Sequence, residues 1–178
     1  MIKLIGQVKR SFEFPAELEQ TFTYFSDVPR LIGYLPYITL QHQQENGDIR
    51  VRFSSTELAS YQFNVICDFQ VILDDATYVL EIRPVDNLPA IQPVSTANST
   101  TARGYFACLA TFTPAVSGHT QIDYTIEING KVPRPKGLRF MPGAVINRVA
   151  KSIANGRLKE IADGFVENTT EAFLAQSV

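Results

Sequence analysis

Residues 61–73, YQFNVICDFQVIL, alternate without a break. Tyr61, Phe63, Val65, Cys67, Phe69, Val71 and Leu73 fall on one side of an extended chain, and Gln62, Asn64, Asp68 and Gln70 on the other. A period of two over this length predicts a strand with one buried face. Asp74-Asp75-Ala76-Thr77 turns the chain, and Tyr78, Leu80 and Ile82 return. Upstream, Ile49, Val51 and Phe53 alternate behind Glu45-Asn46-Gly47-Asp48, a hairpin turn, and Ile38, Leu40 and His42 precede it. These runs form an antiparallel meander.

At the N-terminus, Ile2, Leu4, Val8, Phe12 and Phe14 share one face, and Lys3, Gln7, Lys9 and Glu13 the other. Pro15 suits the first turn of a helix, where its missing N–H has no partner to lose. Leu18, Phe22 and Phe25 follow at helical spacing. Ser26 or Asp27 can cap a second short helix with Pro29 near its start, and Pro36 stops it.

Downstream, residues 84–101 carry three prolines and a Ser/Thr/Asn run. They read as a long exposed loop, a candidate lid. Strands resume over 103–113, with apolar residues on both faces, and over 119–129. There Ile122, Tyr124, Ile126 and Ile128 face inward, while Gln121, Asp123, Thr125, Glu127 and Asn129 face water. Pro133, Pro135 and Gly137 keep the next segment from forming an α-helix. From Pro142 a helical pattern runs nearly to the end, marked by Ile146, Val149, Ile153, Leu158, Ile161, Phe165 and Phe173. Gly156 and Gly164 interrupt it, which predicts a bend near Asn155-Gly156.

The 178 residues, 45% hydrophobic and 19% charged, suit one α+β domain spanning 1–178. A net charge of −2 recruits neither nucleic acid nor membrane globally. The first residues lack a secretory signal, since Lys3, Lys9 and Arg10 break the apolar run, and no stretch is long enough to span a bilayer. The expected location is the cytoplasm. Cys67 and Cys108 then read as buried free thiols.

The sheet's apolar face must be covered, and only the C-terminal helix is long enough to do it. One helix cannot fill a strongly curved sheet, so the order of elements predicts a cavity. Phe14-Pro15-Ala16 entering the first helix, the Val28-Pro29-Arg30-Leu31 helix and the Gly118-His119-Thr120 hairpin resemble the helix-grip fold of the START/Bet v 1-like (SRPBCC) superfamily. The resemblance covers essentially the whole chain. Pro133-Arg134-Pro135 and Leu138-Arg139-Phe140-Met141-Pro142 resemble an uncharacterised family of photosynthetic organisms. The superfamily includes lipid carriers, polyketide cyclases, hormone receptors and ubiquinone-binding proteins, so the fold alone selects no function.

Candidate ligand-binding residues on the inner face are Tyr61, Phe63, Val65, Phe69, Leu80, Tyr105, Leu109, Tyr124 and Ile126, with Val149 and Ile153 from the helix. They point to a hydrophobic small molecule such as a lipid, isoprenoid or pigment. A second candidate is basic: no Asp or Glu lies between Glu127 and Glu160. Lys131, Arg134, Lys136 and Arg139 lead that stretch and suit an anionic membrane or protein partner. Little aromatic interleaving speaks against nucleic acid. His42 and His119 stand apart from any triad. No metal-ligand spacing, phosphate-binding glycine loop or cofactor motif is present. A polyketide-cyclase-like reaction would use a cavity tyrosine as acid, and no residue stands out as catalytic.

Overall fold

The computed structural model describes residues 1–57, 60–138 and 140–176. Strand β1 (Ile2–Phe14) alternates between buried and exposed along almost its full length. The chain then turns, with Ala16 N–H bonded to the Phe14 carbonyl, and α1 (Leu18–Ser26) starts after Glu17 instead of at Pro15. Asp27 caps α2 (Val28–Leu31) by accepting from the Arg30 N–H, and Pro29 sits in its first turn. A 3-10 turn over Ile32–Tyr34 leads out.

The meander follows as β2 (Ile38–Gln43), β3 (Ile49–Glu57), β4 (Tyr61–Asp74) and β5 (Val79–Pro84). A two-residue strand, β6 (Val94–Ser95), precedes the long β7 (Ser99–Pro114) and β8 (Thr120–Val132). The sheet runs β1-β8-β7-β5-β4-β3-β2, with β6 paired to β7. Helix α3 (Gly143–Gln176) has 34 residues, roughly 50 Å at 1.5 Å per residue. The chain thus has the α+β helix-grip architecture, a curved sheet around a long C-terminal helix. Among the described residues no helix is long and apolar enough to cross a membrane.

Three expectations change. First, α3 is helical straight through Gly156 and Gly164. Gly164 serves packing, because a Cβ there would lie 2.6 Å from Pro36 Cγ. Gly6 does the same on β1, where a Cβ would lie 2.5 Å from Leu158 Cδ1. These two glycines let the helix settle close to the strand and to the turn after α2.

Second, the sheet is not antiparallel throughout. Gln62–Cys67 of β4 pairs in parallel with Ser99–Gly104 of β7. The short β5 separates these strands only as far as Pro84, which has no N–H to continue a ladder. Beyond it β4 and β7 meet directly, and β7 starts at Ser99 instead of near 103.

Third, the 84–101 segment is no lid over the cavity. Parallel pairing expels residues 85–93 onto the sheet's outer face, over Asp68. The Asp68 carboxylate, fully buried, accepts from Arg50 at 2.6 and 2.8 Å and lies 3.4 Å from Arg103. Arg50 also donates to the Pro89 carbonyl, Arg103 to that of Val85, and Leu88 is buried. Asp68 does face outward, as its parity requires, yet the loop takes it out of water. A buried carboxylate with two guanidinium partners is a structural clamp.

The end of the molecule nearest α1 is packed solid. Phe14 is fully buried and meets Tyr24, Phe25 and Phe173 at ring centroid distances of 5.4, 5.0 and 4.8 Å. Tyr24 donates its hydroxyl to the Thr169 carbonyl, and Thr120 to that of Ala16.

Candidate functional site: an apolar cavity under the C-terminal helix

Between the sheet and α3 lies a cavity of about 420 Å³ with an apolar lining. That size lies within the ~300–1,000 Å³ typical of small-molecule sites. Tyr61, Phe63, Val65 and Phe69 of β4 line it, with Leu80 of β5 and Tyr124 and Ile126 of β8. Val149 and Ile153 of α3 form the opposite wall. Met141 and Val149 line the cavity and are also exposed, so it opens to the surface beside the start of α3.

Tyr105 and Leu109 do not belong to this wall. They lie on the outer face, 42% and 50% exposed, and Tyr105 stacks on Arg103 at 5.4 Å. Phe106, Cys108, Ala110 and Phe112 line the cavity in their place. Because β7 is apolar on both sides, its own pattern leaves the inner face open. The cross-strand register decides: Pro114 pairs with Thr120 and Phe106 with Ile128, so even-numbered residues of both strands share a face. The clean alternation of β8, counted back across the short 115–119 connection, was the available signal. Phe25, Val28 and Leu31 of the short helices also reach the cavity, which no strand pattern could reveal.

The ionisable groups of the wall are neutral or already engaged. Burial pushes the Cys67 and Cys108 thiols up to about 12, and both are free, so neither is a thiolate near neutral pH. Burial also raises the Tyr124 pKa, and its hydroxyl donates to the Ala162 carbonyl at 3.1 Å. The Tyr61 hydroxyl is shared with Thr100 at 2.5 Å and Ser95 at 3.4 Å. His42 is exposed, His119 sits 3.6 Å from Glu13, and neither lines the cavity. Among the described residues no cluster of His, Cys, Asp or Glu could hold a metal.

One stretch of the lining is polar. Arg157 of α3 donates to Glu57 of β3 at 2.8 Å, to Glu160 at 2.6 Å and to the Tyr37 hydroxyl at 3.2 Å. Its guanidinium also lies 5.0 Å from the Tyr37 ring centre. Tyr37 takes a left-handed φ of 65°, a conformation uncommon outside glycine that its ring contacts help to hold. Beside this cluster Ser55 lines the cavity, and its buried hydroxyl has no hydrogen-bond partner among the described residues.

The basic stretch divides. Lys131 and Lys136 are exposed. Arg134 is half-buried and donates to the Met141 carbonyl. Arg139 lies outside the described residues.

No protein-family model matches the chain, and no curated protein matches its sequence. Solved structures do resemble it. A Thermus thermophilus protein shares 16% identity with a TM-score of 0.61, covering 97% of this chain and 99% of that one. A conserved Geobacillus kaustophilus protein shares 12% with a TM-score of 0.58, covering 97% and 96%. A Streptomyces aromatase/cyclase, Zhui, also shares 12%, with a TM-score of 0.52, covering 97% and 93%. The likeness is one of fold, carried over nearly the whole length of each chain.

Proposed function

We propose that this protein binds and carries a hydrophobic small molecule, of lipid, isoprenoid or pigment type, in the cavity between the sheet and α3. The observation that carries this reading is the cavity itself: open at one end, apolar in its lining and roomy enough for a ligand. Filling it would remove apolar surface from water on both sides, at about 25 cal/mol per Å². The Ser55, Glu57 and Arg157 stretch is where a ligand's polar group would lie. Kinship with the uncharacterised family of photosynthetic organisms is part of this proposal and would favour isoprenoid or pigment ligands.

Native mass spectrometry of gently purified protein tests the reading. The expected result is a co-purifying apolar small molecule, or stoichiometric uptake of an apolar fluorophore such as diphenylhexatriene. Protein that carries neither is not a carrier.

A cyclase-like reaction in the same cavity is the alternative, favoured by the fold likeness to an aromatase/cyclase and by the buried Tyr124. It asks Tyr124 to act as an acid, yet burial makes the phenol a weaker acid and its O–H is already hydrogen-bonded to the Ala162 carbonyl. Turnover of a linear polyketide thioester mimic that is abolished by Tyr124→Phe would establish that reading over the carrier.

A further inference from the structure

Several cations of the chain gather at one end of the fold. Residues 1–12 and 128–159 contain no Asp or Glu. The fold joins these two stretches: Ile2 pairs with Val132 across β1 and β8, and both pack against Ile146 near the start of α3. The Lys3 backbone N–H also bonds Asn147. At the same place Lys3 and Lys131 sit directly opposite each other on neighbouring strands, both exposed. Like charges in that position are destabilising, and no carboxylate among the described residues pairs with either. Lys136, Arg148 and Lys151 are exposed on the adjoining segment and helix. The first turn of α3 has no acidic residue, so the positive end of its dipole adds to the same field.

Apolar side chains protrude from this basic end. Phe140 is 99% exposed. Met141, Val145 and Val149 follow it and are also exposed, and Met141 and Val149 belong to the cavity mouth. A fully exposed Phe gains nothing in water. At a bilayer surface the ring reaches the acyl boundary while the ammonium and guanidinium groups stay among anionic headgroups.

We propose that this end docks on an anionic lipid bilayer, with Phe140 inserted and with Lys3, Lys131, Lys136, Arg148 and Lys151 against the headgroups. The cavity mouth then faces the membrane, so an apolar ligand can pass between bilayer and cavity without crossing water. This role for the surface rests on the carrier reading above. The docking itself does not, and the two are measured separately.

The test is flotation of the full chain with vesicles of phosphatidylcholine alone and of phosphatidylcholine mixed equally with phosphatidylglycerol. Wild type should float with the anionic vesicles and not with the neutral ones, and added salt should weaken it. The pair Lys131→Glu with Lys136→Glu should lower partition by at least about tenfold, and Phe140→Ala by about tenfold. Both variants should keep the wild-type circular dichroism and diphenylhexatriene uptake in vesicle-free buffer. Equal partition to both vesicle types, absence of partition, or wild-type binding by the charge-reversed variant would each overturn the proposal. Absence of partition with intact uptake leaves the carrier reading standing. Partition without uptake removes the carrier reading and keeps the docking.

Discussion

The two halves of α3 belong to one unbroken helix and do different work. From Ala154 onward its buried residues are Ala154, Leu158, Ile161, Ala162, Thr169 and Phe173; Leu158 lies against Gly6 of β1, and Phe173 meets Phe14 and Tyr24. Before Ala154 only Ile146 is buried, and Val145 and Val149 are 44% and 42% exposed. The second half is mostly buried and the first half is more exposed, with the basic surface outside it; the cavity lies beneath both, lined by α3 from Ile146 to Phe165. Hydrophobic residues in a helix therefore need not mark a packed face; here some of them wall a cavity.

The contrast can be broken at either half. The largest effect should come from the closed end: Phe173→Ala or Phe14→Ala should each cost about 3–5 kcal/mol, as for large buried aromatics. Urea denaturation reads this directly. Gly6→Val should come next, at about 1–3 kcal/mol, because its side chain would drive Leu158 out of its seat. A neutral Gly6→Val would show that helix and strand are not tightly seated there.

Arg157→Ala acts at the boundary between the halves. It leaves the half-buried Glu57 carboxylate without its guanidinium and should cost about 1–2 kcal/mol. It should also speed release of a bound apolar fluorophore in stopped flow, since Arg157 ties the helix to β3 across the lining. Slower or unchanged release would mean that the cluster does not restrain the opening.

Val149→Ala, in the first half, should change stability by less than about 1 kcal/mol while altering fluorophore affinity. A loss as large as that of Phe173→Ala would erase the distinction between the halves.

The smallest effect is a pH dependence. Hydrogen bonds from Arg10 and Arg157 hold the Asp163 and Glu160 carboxyls below their ordinary values. Their contribution is therefore present above the unfolded pKa, near 4, and is lost as pH falls through the depressed folded values. Both groups are largely exposed, so the gain is small. Whatever stability separates wild type from Asp163→Asn at neutral pH should fall away in acid, below the depressed folded value. A difference that persists there has another origin.

Much of this fold was legible beforehand. The inner faces of β1, β4 and β8 follow their period-two patterns residue by residue, and the hairpin turns at Glu45–Asp48 and Asp74–Thr77 stand where their turn residues require. Asp27 and Pro29 start α2 for the reasons their chemistry provides. Six of the candidate lining residues, Tyr61, Phe63, Val65, Phe69, Tyr124 and Ile126, reach the cavity because β4 and β8 turn their alternating apolar face inward. Tyr105 and Leu109 were misplaced because β7 carries two. The polar cluster of Arg157, Glu57 and Tyr37 had no sequence signature, since its members come from α3, β3 and the turn before β2.

The sequence by itself determined which stretches are strands and helices and, where only one side is apolar, which side turns inward. Those are local properties, written in a period of two or of three to four residues. Tertiary structure alone decided what each face meets. It put residues 85–93 on the outer face, because β4 and β7 close in parallel beyond Pro84. It selected the even face of β7 through its register with β8. It also left a cavity between the curved sheet and α3, lined by the helix from Ile146 to Phe165. Periodicity records that a side chain avoids water, but the path of the whole chain decides whether it meets a neighbour or an open space.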